Sequence, residues 1–220
     1  MTMGPRPPAS TLKELILAPS LVTLGVTLLR LTGELMHWSP RWFSREAGGA
    51  AAIVGIVWLV PVFAVYFALK LTRAGLGPAS RARAVALSLV SLLVLPAVTA
   101  AVRFLDLAGV GRIMAFNVAA LVGLAIAYFA WPALGATLVS YGLAARIPVA
   151  LVMLIAISQD WGTHYELGPP GLPEMGLFTK WVVIGLVPQL GFWLGFTVVI
   201  GGICGSIAAA FVQGNRPARA

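Results

Sequence analysis

The chain has 220 residues, 60% of them hydrophobic and only 10% charged, with a mean hydropathy of +0.95. Soluble domains carry roughly 25% charged residues, so this composition excludes an ordinary water-soluble enzyme and points to a chain whose solvent is the bilayer. The formal charge of +8 comes from basic residues scattered over short segments between apolar runs, a pattern of topology signals and lipid-headgroup contacts; no nucleic-acid partner is expected.

In chain order, residues 1–14 include Gly4-Pro5-Arg6-Pro7-Pro8 and predict a disordered cytoplasmic N-terminus. The first apolar stretch, 15–38, is too long for a secretory signal, lacks a small-residue cleavage site and carries Arg30 and Glu34, so it reads as a retained helix. Its polar residues Thr23, Thr27, Arg30, Glu34 and His37 are spaced by four, three, four and three, which places them on one helical face. That face must meet other helices or a hydrated cavity, because lipid would leave its polar groups unsatisfied. Arg30 and Glu34 form an i,i+4 pair in the less favourable order, and the guanidinium keeps donors for a third group.

The second and third spans are predicted at 50–69 and 84–102, both free of charge and bounded by Lys70, Arg73, Arg81, Arg83 and Arg103. From Ile113 to Ser158 there are 46 residues and a single charge, Arg146. At about 20 residues per crossing this run holds two helices, 113–131 and 134–158, with the turn at Trp131-Pro132; the alternative, a turn at Tyr141-Gly142, would put Arg146 at the membrane surface but leave the fifth helix only about a dozen residues. Arg146 then lies inside the membrane, where a cation costs at least a few kcal/mol unless it is paired or hydrated. Two sources of compensation are expected: Glu34, about 10 Å nearer the outer face by helix rise, and the Ala144 carbonyl that Pro148 releases from its helical bond.

The loop 159–176 carries Asp160, His164, Glu166 and Glu174, followed by a stiff Gly168-Pro169-Pro170-Gly171-Leu172-Pro173 segment suited to a plug or lid. His37 and His164 approach this same outer surface and are the only candidates for a metal, but their spacing matches no zinc signature and none is assigned. With Trp38, Trp42, Trp161 and Tyr165 they read more simply as an aromatic belt. The last span, 181–212, is longer than one crossing, and Pro188 inside it predicts a kink or an interfacial half-helix before the span. Gly191, Gly195, Gly201 and Gly205 form two small-xxx-small pairs, which predict close packing against another helix of this chain, a second protomer or a membrane-complex partner. Residues 213–220 predict a disordered cytoplasmic tail.

The expected fold is therefore an all-α integral membrane protein, six transmembrane helices in one bundle over 15–212. Basic residues divide eight to five in favour of the side bearing the termini, so the expected location is the cell membrane, multi-pass, with both ends cytoplasmic. The candidate polar site is Arg30, Glu34, His37 and Arg146, with Asp160, His164 and Glu166 as loop candidates. Such a site suits binding or translocation of a small molecule, an ion or a lipid. The alternatives are a membrane enzyme built on the histidines and carboxylates, and a non-catalytic subunit or assembly factor whose buried charges specify packing. No phosphate loop, nucleophile elbow or cofactor motif is present, so no catalytic residue and no cofactor are assigned. The single cysteine, Cys204, excludes an intrachain disulfide.

Overall fold

In the computed structural model, residues 7–47 and 52–212 are described. They fold as helices α1 (Ala9–Leu35), α2 (Leu59–Arg73), α3 (Arg81–Phe104), α4 (Gly109–Ala130), α5 (Pro132–Gln159) and α6 (Leu177–Phe211), with a single 3-10 turn at His164–Glu166. Five of the six are long and apolar enough to cross a membrane; α2, at 15 residues, is not. The expected disordered ends lie almost wholly outside the described residues, although α1 starts at Ala9, six residues before the predicted boundary.

Successive helices alternate in direction. Leu15, Leu71, Trp131, Leu134 and Ala209 share one core cluster, which brings together the start of α1, the end of α2, the start of α5 and the end of α6. We call this the terminal end. At the opposite loop end, Val149, Met153, Ala156 and Tyr165 pack with Leu31, Ile56 and Trp181.

The sequence explains where most helices stop. Pro132 opens α5 at a position where its missing N–H is no loss, and it pushes Trp131 out of the helical region to φ −149°, ψ 91°. The predicted turn between the fourth and fifth spans falls there, and the Trp131 indole N–H ties it to the Leu76 carbonyl at 2.8 Å. α1 ends in a Schellman arrangement: Trp38 N–H donates to the Gly33 carbonyl at 2.9 Å, His37 N–H to Glu34 at 3.2 Å, and His37 takes the left-handed φ of 56°. Glycine usually fills that position, so a histidine there hides the stop from a reading of the sequence.

Two predicted spans need correction. The second was placed at 50–69, of which residues 50 and 51 lie outside the described set; residues 52–58 are irregular and the helix begins only at Leu59. Residues 36–47 and 52–58 instead fold over the loop end, with Val54 N–H bonded to the Trp42 carbonyl at 3.0 Å and Phe43 seated on Gly33. Ile56 reaches the loop-end core and Gly55 lies against the Arg30 guanidinium. Arg30 thus meets both irregular pieces, bonding the Ser44 carbonyl and lying against Gly55. The last span is neither preceded by a separate half-helix nor broken. α6 runs unbroken for 35 residues, with π-helical turns at Trp181–Leu186 and Gln189–Trp193 on either side of Pro188. Wider turns absorb the proline, whose ring would otherwise clash with the carbonyl one turn upstream.

The four glycines of the two small-xxx-small pairs in α6 are covered within the chain. A methyl group on Gly195 would come within 2.5 Å of the Ala120 carbonyl, and one on Gly205 within 2.6 Å of Leu134. Gly201 meets Leu138, and Gly191 meets Asn117. The small residues thus let α6 lie against α4, α5 and α2 at once.

Candidate functional site

The polar stripe of α1 is buried from Thr23 to Glu34 and then lost, because the helix ends before His37. Thr23 and Thr27 return their hydroxyl protons to carbonyls one turn back, Pro19 and Thr23 respectively, so each is partly satisfied within the helix. Thr23 also shares a 2.7 Å hydrogen bond with the Tyr141 hydroxyl of α5.

At the top of the stripe sits a closed cluster. Glu34 is only 1% exposed, and both its oxygens are engaged. Oε1 accepts from Arg30 Nε at 2.9 Å and from His164 Nδ1 at 2.6 Å, while Oε2 accepts from the His164 backbone N–H at 3.0 Å. The third acceptor expected for Arg30 is the Ser44 carbonyl, 3.2 Å from Nη2. Because an ionised carboxylate only accepts, Nδ1 carries the proton and Nε2 the lone pair in neutral His164. Burial pushes the His164 pKa below its ordinary value; the Glu34 bond pulls it up, and the Arg30 charge pushes it down. Burial prevails, so the imidazole is neutral near pH 7. Tyr165 beside it is held well above the usual phenol range by burial, and its hydroxyl reaches the Thr27 carbonyl at 3.5 Å.

The remaining loop candidates are spent on the loop itself. Glu166 accepts from Trp161 N–H at 2.9 Å and Thr163 N–H at 2.7 Å, folding 161–166 into a compact turn. Asp160 terminates α5 in the left-handed region at φ 50°. His37 lies exposed on the surface, with Nδ1 on the Leu35 carbonyl and Nε2 3.0 Å from Arg45. It is not gathered with Glu34. Among the described residues no group of three His, Cys, Asp or Glu side chains is placed to hold a metal ion.

Arg146 does not join the cluster either. It lies fourteen residues from the start of α5 and thirteen from its end, about 20 Å along the axis from each. It is 4% exposed. Among the described residues no carboxylate is within ion-pair distance of it, and its buried Nε has no hydrogen-bond partner. The Ala144 carbonyl released by Pro148 receives no bond from it. What it has is a ring: Cζ stands 4.9 Å from the centroid of Trp193, in the second π-turn of α6. Such a contact offers about 2 kcal/mol when desolvated, less than the cost of a buried lone cation.

Two buried amides in the helix seams, one of them a turn away from Trp193, were not singled out by periodicity. Gln189, one turn before Trp193 in the same α5–α6 seam, is buried; its amide nitrogen donates weakly to the Met153 sulfur at 3.6 Å and its Oε1 has no partner. Asn117 of α4 braces the π-turn by accepting from the Phe192 backbone N–H at 2.8 Å, a donor that the turn's wider winding exposes. The useful sequence signal was a lone amide on each of two apolar spans.

No family model matches the chain, and neither a curated protein nor a solved structure matches it.

Proposed function

We propose that this chain is a multi-pass protein of the cell membrane, with both termini cytoplasmic, that binds a small anion inside its helix bundle for translocation. Arg146 is the binding cation. The observation that carries the reading is a guanidinium at the midpoint of a 28-residue helix, 4% exposed, with no carboxylate beside it. A buried ion pair can be a packing device, but a buried single charge lowers stability and is retained for what it contacts.

The Arg30–Glu34–His164 cluster supports a different role. Its carboxylate is buried with both oxygens engaged, and it joins α1 to the loop and to Ser44, so we assign it to closing the loop end. The enzyme alternative finds less support, since His37 is exposed and bonded to Arg45 rather than facing His164.

The test replaces Arg146 with methionine, similar in length and apolar. Thermal unfolding of the purified protein should rise, because the desolvated charge is gone, while stabilisation by added sodium acetate at constant ionic strength should vanish. A lower midpoint for R146M would mean that the guanidinium serves packing, and the reading would be withdrawn.

A further inference from the structure

From the geometry around Arg146 we infer that the α5–α6 seam is a binding site for a monocarboxylate, whose carboxylate takes the open Nε edge of Arg146 while a neutral polar group of the same molecule meets the Gln189 amide. This rests on the anion-binding reading above and narrows it to one chemical class.

Three features select the class. The first is charge. One unpaired cation neutralises one negative charge, and an uncompensated second charge in a low-dielectric interior costs several kcal/mol; a phosphate monoester carries about −1.5 to −2 near pH 7. A monoanion fits and a dianion does not. The second is shape. Trp193 stands 4.9 Å from Arg146 Cζ and occupies one side of the group. The buried Nε without a partner marks the side-on edge, where Nε–H and an adjacent Nη–H run parallel. Two parallel donors in a plane match the two coplanar oxygens of a carboxylate. The third is depth. A phospholipid's phosphodiester is also a monoanion, but its place is the headgroup layer, whereas Arg146 stands about 20 Å from either end of its helix.

Gln189 adds the second contact. Its Oε1 is buried without a partner, and its amide nitrogen has only a thioether, so the amide can both accept from and donate to a ligand. Gln189 and Trp193 bound one π-turn.

The experiment uses a ligand series with a common tail: octanoate, octyl phosphate, octyltrimethylammonium and octanol. Each is titrated by calorimetry into the full-length protein, in a non-ionic detergent after exhaustive delipidation. Octanoate should bind at least about tenfold more tightly than octanol, and more tightly than octyl phosphate, with no binding of the ammonium compound. Arg146→Lys keeps the charge but loses the Nε edge, and should weaken octanoate about ten- to hundredfold. Gln189→Leu should weaken 2-hydroxyoctanoate several-fold more than it weakens octanoate. Equal affinity for octanoate and octanol would remove the anion reading itself. Octyl phosphate binding as tightly as octanoate or tighter would keep that reading and overturn the carboxylate class. Because the wild-type series decides between these outcomes, the result stands even if a variant fails to fold.

Discussion

Glu34 accepts three hydrogen bonds in a space from which water is excluded, so removing one donor changes the environment of the others. A double-mutant cycle between Glu34→Gln and His164→Ala should show coupling of about 1–3 kcal/mol, measured by chemical or thermal unfolding in detergent. The same cycle between Glu34→Gln and Arg146→Met should be additive within about 0.5 kcal/mol, because the two residues share no contact. Reversal of that order would place Arg146 in the cluster after all. His164 also makes stability pH-dependent. Its pKa in the folded protein is below the ordinary 6.5, chiefly through burial, so folding favours the neutral ring. The unfolded chain then binds more protons as pH drops below about 6.5, and stability falls in that direction. The unfolding midpoint should decline from pH 7 towards pH 5, and His164→Gln should flatten the profile. A wild-type midpoint insensitive to pH over this range would show that the ring keeps its ordinary titration.

At the scale of elements, α6 is held by contacts that tolerate no added atom. Gly195→Ala would drive a methyl group to within 2.5 Å of the Ala120 carbonyl, whereas nothing lies within 4 Å of a methyl group at Gly25 in α1. Gly195→Ala should destabilise by about 1–3 kcal/mol, and Gly25→Ala should be neutral or gain up to about 1 kcal/mol from helix propensity. Comparable losses at both positions would argue against close α4–α6 packing. Asn117→Ala strips the Phe192 N–H of its acceptor in the π-turn and should cost about 1–3 kcal/mol in the same assay. An unchanged midpoint would mean that the turn finds its bond elsewhere. Helix identity was readable in the sequence because unbroken apolar runs allow little else, and Pro132 offered one of two boundaries between the fourth and fifth spans, the one that the structure takes. The start of α2 was not readable: residues 52–58 are as apolar as the helix that follows. Their irregular path follows from Arg30 and the folded-back 36–47 segment, both distant in sequence.

For the whole molecule, alternation of six helices brings the described ends, Pro7 and Val212, to the same end of the bundle, although α2 is too short to span by itself. The count along the sequence, eight basic residues to five, favours that side, so a reporter fused after Arg219 should be cytoplasmic and an epitope inserted between Pro169 and Glu174 accessible from outside. A cytoplasmic epitope would invert the topology and place the closed loop end inward. By itself the sequence determined the all-helical apolar character, the mid-helix position of Arg146 and the polar face of α1 from Thr23 to Glu34, since these follow from hydropathy, helix rise and the 3.6-residue period. The tertiary structure decided which charges meet. Glu34 is claimed by His164, 130 residues away, and Arg146 is left to Trp193 on α6, because pairing depends on how helices rotate and where loops fold back. Those quantities are set by packing between segments, and residue spacing within one segment does not contain them.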